Sequence, residues 1–289
     1  MLIPLFSLFS PLLIAQNIEV KSEYDDKGVI KFTASNHSKR PYFVILNFEN
    51  LVGTCSDMPG DVHRVDPGVI QLCTVMPNQG SSPFTSYSYR YFSSDPSAKI
   101  NPDYPYLIPV KDGSTTQIIA ITNISTILSR GTPDNWYCIG FKMNAGDTIF
   151  AARGGIVSDI KESEQIKGQN YWFNSDDNFI AILQDDGTLA CYTNFEKDKV
   201  FPKIGDKIIG SQPIGIVSAG HSNVGPHTKL TVYHEKSDGK STECALMKFC
   251  VSSIKPEILL PNNKYVARHY PEVVTIGMSR KMKKKYLGE

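Results

Sequence analysis

The sequence predicts an all-β protein made of two successive β domains. Three observations carry this expectation. Short runs rich in aromatic and β-branched residues recur along the chain, such as "YFVILNF" and "NFIAIL". Turn clusters of Gly, Pro, Asp and Asn separate them. No long stretch has the 3.6-residue periodicity of an amphipathic helix. With 289 residues, two domains are expected, and 41% hydrophobic residues suffice to bury real cores. A formal net charge of +1 gives no reason to expect a nucleic-acid partner.

The opening residues, "MLIPLFSLFSPLLIAQ", are apolar up to Ala15 and uncharged. They are too short for a full membrane span. They suit the apolar region of a secretory signal over residues 1–16, cleaved near Ala15 or Gln16, although a basic leader is missing. Pro4 and Pro11 argue against a regular buried element there. No transmembrane span is expected in the mature chain, which is placed outside the cytoplasm as a secreted, periplasmic or cell-envelope protein.

Residues 17–126 read as a β-sandwich-like domain. Its strands are "IEVKSE", "GVIKFTAS", "YFVILNF", "SYSYRYF" and "TQIIAIT", with turns at "SDMPGD", "VDPG" and "MPNQGSS". Period-2 alternation places Tyr87, Tyr89 and Tyr91 on one face. Such a stripe can bind a ligand, but half-buried sheet packing is its commoner role. Nothing in this part looks catalytic.

Residues 130–253 read as a second β domain, with glycines at turns between short apolar strands. Asp186-Gly187 marks a hairpin. "ESEQIKGQNYW" reads as a polar loop. Residues 254–289 form an extension that can pack back through "EILLPNNKYVARHY". Its basic end, "SRKMKKKYLGE", reads as a solvated tail.

Six cysteines suit an exported protein, and no Cys-x-x-Cys zinc pair occurs. Cys55 with Cys73 and Cys244 with Cys250 are candidate disulfides, which leaves Cys138 and Cys191. The six histidines are His37, His63, His221, His227, His234 and His269. His227 and His234 are seven apart and so face opposite ways on a continuous strand, which disfavours a three-histidine site with His221. His221 and His234 are expected near the surface and His227 bonded at a turn. A Cys191–His227 nucleophile pair ranks below structural cysteine, because no motif or activating neighbour accompanies it. No nucleophile elbow, phosphate loop or dinucleotide fingerprint occurs.

The segments "AGDTIFAARGGIV", "NFIAILQDDGTLACYTNF", "KIGDKIIGSQPIG" and "GPHTKLTV" follow one another in the second domain, and in this order they resemble the lysostaphin-type (LytM-like) zinc peptidoglycan endopeptidases. "AGDTIFAARGGIV" is similar to the family's Gly-Thr-x-Val-x-Ala-x-x-x-Gly-x-Val segment, with Asp147 intruding. "NFIAILQDDGTLACYTNF" is similar to its strand, Asp-Gly hairpin and Tyr-x-His strand. "KIGDKIIGSQPIG" resembles Val-x-x-Gly-Asp-x-Val-x-x-Gly-Gln-x-Ile-Gly, and "GPHTKLTV" resembles Gly-Pro-His-Leu-His-Phe-x-Val. The Gly-Asp turn of the third segment also occurs in biotinyl and lipoyl carrier domains. Their modified Lys precedes that segment, whereas Met247-Lys248 follows it here. The resemblance implies a duplicated-hybrid-motif β domain. It also implies a zinc ion held by an early His, an Asp and the second His of His-x-His, with a water activated on the metal.

Carried over by position, that chemistry is missing. The Asp position falls on Gly140. The early His falls near Arg130 or Trp136. The Tyr-x-His strand reads Tyr192-Thr193-Asn194, and His-x-His reads His227-Thr228-Lys229. No His lies between His63 and His221 to substitute. Lys229 offers an ammonium, which has no lone pair and repels a cation. It is expected either to pair with an acidic group at the groove or to reach water from a strand end. Neither zinc nor another cofactor is therefore expected.

His227, Lys229, Asn194 and Tyr192 are expected to line a remnant groove, with Gly140 at its floor. The function implied is that of an exported, non-catalytic peptidase homologue that binds a cell-wall (peptidoglycan) peptide or an envelope partner protein. Dead relatives of the family act as activators or scaffolds. The alternatives are an active zinc metalloendopeptidase with unconventional ligands and a structural envelope protein.

Overall fold

The computed structural model describes residues 17–58, 60–120, 137–163, 177–219 and 225–288. The proposed signal segment, Arg130, Trp136, His221 and most of the polar loop after Lys161 lie outside the described residues.

The N-terminal strands are β1 (Ile18–Tyr24), β2 (Ile30–Asn36), β3 (Tyr42–Val52), β4 (Thr54–Cys55), β5 (Val62–Val65), β6 (Gly68–Met76) and β7 (Phe84–Phe92). They form two antiparallel sheets, ordered β1-β2-β6-β4 and β5-β3-β7. Phe32, Val44, Leu46, Val65 and Val75 fill the space between them. The run "YFVILNF" lacks alternation because β3 is covered on both sides. Tyr42, Val44 and Leu46 point into the sandwich. Phe43 and Ile45, with Phe92, meet Ala181, Leu183 and Leu189 of the second unit.

The tyrosine stripe serves packing. Tyr87 and Tyr89 lie against the sandwich core, and their hydroxyls donate to the Val20 and Ile18 carbonyls at 3.2 Å each. These bonds cover backbone acceptors on the edge strand β1. Tyr91 stands edge-on to Tyr42 with ring centres 5.4 Å apart.

The remaining strands are β8 (Pro105–Tyr106), β9 (Thr115–Ala120), β10 (Ile139–Lys142), β11 (Thr148–Phe150), β12 (Gly155–Lys161), β13 (Phe179–Leu183), β14 (Leu189–Thr193), β15 (Phe195–Val200), β16 (Lys207–Ile208), β17 (Pro213–Val217), β18 (His227–Glu235), β19 (Thr242–Cys244), β20 (Lys248–Phe249) and β21 (Lys264–Val266). A large sheet runs β16-β12-β13-β14-β18-β10-β9-β21, with β19 also on β18. A small sheet, β11-β17-β15, lies across it. Phe141, Ile180, Ile182, Tyr192, Leu230 and Val232 from the first meet Ile149, Phe195, Ile214 and Val217 from the second. The all-β class read from the sequence is what the structure shows.

Two of the glycines in the motif segments have visible causes. Gly187 has φ 86° in the tight turn between β13 and β14, at the Asp186-Gly187 hairpin. Gly155 begins β12 where a Cβ would lie 2.3 Å from the Leu183 carbonyl oxygen, so only a missing side chain lets β12 approach β13.

Three features depart from the sequence reading. β9, grouped there with the N-terminal strands, hydrogen-bonds to β10 and β21 in the large sheet. A short alternating run shows that a strand is half-buried but not which sheet it joins. The basic tail is helical: α1 (Pro271–Val274) is followed by α2 (Arg280–Leu287). The Ser279 side chain caps α2 by accepting from the Met282 N–H, Gly288 closes it with φ 75°, and none of its residues is buried. Ahead of it, Val273 and Val274 pack on Leu107 and Cys250. Finally, all six cysteines are free thiols, so neither expected disulfide is present. Cys250 donates to the Ile254 carbonyl at 3.2 Å, whereas Cys244 sits opposite Tyr233 on β19.

Candidate functional site

The antiparallel registers align one row of residues across four strands. Phe179 on β13 faces Thr193 on β14, Thr193 faces Lys229 on β18, and Lys229 faces Gly140 on β10. Cross-strand partners share a face of the sheet. The two positions that correspond to zinc ligands in the LytM-like motifs, Gly140 and Lys229, are therefore direct neighbours. Gly140, the hairpin segment and the His227-Thr228-Lys229 segment, far apart in the chain, meet in this row.

The residue facing Lys229 from the start of β13 is Asp177. The Lys229 ammonium donates to Asp177 Oδ2 at 3.0 Å, and the two side chains are 2% and 5% exposed. Asp177 lies two residues before Phe179, so strand alternation puts it on the same face as the row containing Lys229. Of the two fates expected for Lys229, the structure shows the paired one. The sequence reading did not name Asp177. Its signal, a carboxylate one alternation step from the row that holds Lys229, is legible only once the strand register is known.

The other expected groove residues are placed as follows. His227, two residues before Lys229, is 2% exposed, and its Nδ1 bonds the Gly225 carbonyl at 2.8 Å. A carbonyl only accepts, so Nδ1 carries the proton. Asn194 is fully buried with φ 71°, and its Nδ2 donates to the His227 carbonyl at 3.0 Å. Its left-handed backbone breaks the alternation after β14 and turns the side chain toward β18. Tyr192 is not in the row. It pairs in register with Ile180 and Leu230, faces the core, and its hydroxyl accepts from the Ala152 N–H at 2.8 Å. Burial pushes the Tyr192 hydroxyl well above the ordinary phenol range. Gly140, His227, Lys229, Asn194 and Tyr192 are all buried.

The remaining candidates for chemistry also read as structural. The Cys191 thiol is pushed up to about 12, first by burial, then by Cys138, Asp159 and Asp177, so it is not a thiolate at neutral pH. Cys138 is likewise raised to about 12 by burial, against a Thr231 hydrogen bond and the Lys229 charge. His234, expected near the surface, is 6% exposed and lies 3.8 Å from Glu243, because β19 covers that part of β18. Among the described residues, no group of three or more His, Cys, Asp or Glu side chains is arranged to hold a metal ion. Nor is any described helix long and apolar enough to cross a membrane.

A second buried charge lies beside the hairpin. Arg153 is 3% exposed and donates to Asp186 at 2.6 Å, to Asp185, and to the Tyr106 hydroxyl and Gln184 at 3.2 Å each. Its guanidinium stacks 3.5 Å from the Tyr104 ring centre. Within "AARGGIV" nothing in the local pattern marks this Arg as buried.

No family model and no curated protein matches the chain. Several solved structures do. The catalytic domain of the antimicrobial peptidase lysostaphin from Staphylococcus simulans is 19% identical over 47% of this chain and 88% of that one, with a TM-score of 0.29. The M23 metalloprotease pseudoalterin, from a deep-sea source, is 12% identical over 58% and 96%, with a TM-score of 0.35. Csd3 from Helicobacter pylori is 13% identical over 90% and 57%, with a TM-score of 0.33. The chain spans 48% and 40% of the length of two further lysostaphin structures that it matches. At these scores the matches carry no inference about activity. The chain is similar to these peptidase structures, and its all-β architecture agrees with theirs.

Proposed function

We propose that the chain is an exported, non-catalytic peptidase homologue that works by binding, its ligand being a cell-wall peptide or an envelope partner protein. The observation that supports this reading most is the buried Lys229–Asp177 pair. The position that corresponds to a zinc-ligating His carries a fixed positive charge, and Gly140 beside it has no donor atom. One cation cannot sit on another at this separation, and the ammonium needs no metal to neutralise Asp177. Because the inherited positions are buried, recognition falls to the surfaces around them.

Three measurements on the purified chain test this reading. Metal analysis with and without added zinc is expected to find no stoichiometric zinc. Incubation with cross-linked peptidoglycan is expected to release no new amine termini. Calorimetry with muropeptides is expected to show binding. Chelator-sensitive cleavage of wall cross-links would overturn the reading in favour of an active metallopeptidase. Absence of muropeptide binding, with no captured envelope protein either, would favour a structural envelope protein. Changing Lys229→His alone is expected to leave zinc affinity unmeasurable, since at least Gly140→Asp and one upstream His are also needed. Tight zinc uptake by that single variant would contradict the proposal.

Export carries a second consequence. Cys55 and Cys73 are neighbours where β4 pairs with β6, close enough for each thiol to feel the other. In an oxidising compartment the pair is expected to lose two protons and two electrons to the resident thiol oxidant and close into a disulfide. Non-reducing peptide mapping of exported protein checks this, and free, alkylatable Cys55 and Cys73 in that material would count against it. The loop closed is short, so the bond is expected to add about 3 kcal/mol of stability.

A further inference from the structure

The β21 edge of the large sheet holds a cleft of about 770 Å³ between β9, the β10–β11 turn and β21. Its lining includes Lys111, Lys142 and Lys264. They come from three separate elements: the turn before β9, the end of β10 and the start of β21. All three are exposed, and none has an ion-pair partner among the described residues.

The register explains why two of them converge. Gln117 on β9 is opposite Lys264 on β21, and the Ile118–Phe141 pair puts the next position, Lys142, opposite Gln117 from the other side. Lys142, Gln117 and Lys264 therefore share one face, with the two ammonium stems two strand spacings apart, about 10 Å. Gln117 does not bridge them, because its Nε2 donates to the Asn262 carbonyl at 3.1 Å. One carboxylate lines the cleft, Asp147, and its Oδ2 already accepts from the Asn144 backbone N–H at 2.8 Å and from Asn144 Nδ2 at 3.2 Å. The hydroxyls of Ser114, Thr115 and Thr148 add donors to the same lining.

Like charges gathered on one face are mutually destabilising unless something of opposite sign joins them. An oxyanion does so best, because it accepts from ammonium and hydroxyl donors at once. We infer that this cleft is a binding site for an elongated ligand bearing more than one oxyanion, carboxylate or phosphate, spanning Lys142 and Lys264. Lys142 also stands opposite His227 on β18, so this row is the next one along the same face from the Lys229 row, and the inference does not rest on the non-catalytic reading.

Calorimetric titration of the whole protein at low ionic strength, with tripolyphosphate in one arm and a tri-glutamate peptide in the other, tests it. Binding in at least one arm is expected, and the arm that binds names the oxyanion. The double change Lys142→Gln/Lys264→Gln is expected to weaken that binding about tenfold or more. Lys197→Gln/Lys199→Gln removes the same charge from β15, outside the cleft, and is expected to leave binding unchanged. No binding in either arm, or equal weakening by the two double variants, would overturn the inference. The second result would show general attraction to a lysine-bearing surface.

Discussion

Replacing Lys229 with alanine is expected to cost about 3–5 kcal/mol of folding stability, the usual penalty for removing one member of a buried ion pair. The loss comes less from the missing attraction than from the Asp177 carboxylate, 5% exposed and deprived of the charge across from it. Denaturant unfolding of the variant gives the number. A paired comparison makes it specific. Lys229→Met/Asp177→Leu removes both charges and keeps similar volume, and is expected to lie within about 1 kcal/mol of the parent, since apolar replacements of buried pairs are often neutral or better. If the double variant is as unstable as the single one, the pair is not what Lys229 contributes. If Lys229→Ala is as stable as the parent, the position is not under electrostatic constraint.

Arg153→Met is the second large effect, expected at about 3 kcal/mol. The guanidinium holds Asp185 and Asp186 of the hairpin, bonds Tyr106 and Gln184, and lies on the Tyr104 ring. Asp185 is 63% exposed and can rehydrate, which keeps the expected cost at the low end of the range for buried pairs. Tyr106 and Gln184 are buried and cannot rehydrate, though they retain each other at 2.9 Å. Arg153→Lys is expected to rescue little, because an ammonium cannot reach several acceptors in one plane while stacking on a ring. Hydrogen exchange localises the effect: the Gln184 amide, bonded to the Thr188 carbonyl at 2.8 Å, should exchange faster in both variants. A lysine variant as stable as the parent would show that charge alone matters at this position.

The two predictions concern residues of opposite legibility. Lys229 stood out in the sequence because a strand motif that resembles a metal-binding one carried an ammonium at the ligand position. Arg153 did not, because a single Arg among glycines and alanines looks like any surface Arg until the chain folds around it. Its acceptors come from residues 106 and 184–186, and no local pattern announces that meeting. Asp177 is intermediate. Its step along β13 was derivable, but only once β13, β14 and β18 were known to pair in register. The assignment of β9 to the large sheet was not legible either, since alternation gives a strand two faces but does not name its neighbours.

The sequence alone determined the β class, the Asp-Gly hairpin and the absence of a metal-donor side chain at Gly140 and Lys229, because each follows from residue chemistry and short-range spacing. Only the tertiary structure decided that Lys229 meets Asp177, that Tyr192 faces the core and not Lys229, and that lysines from three elements share one cleft. Those outcomes depend on contacts between residues far apart in the chain, and strand register, which short-range patterns do not encode, is what brings them together.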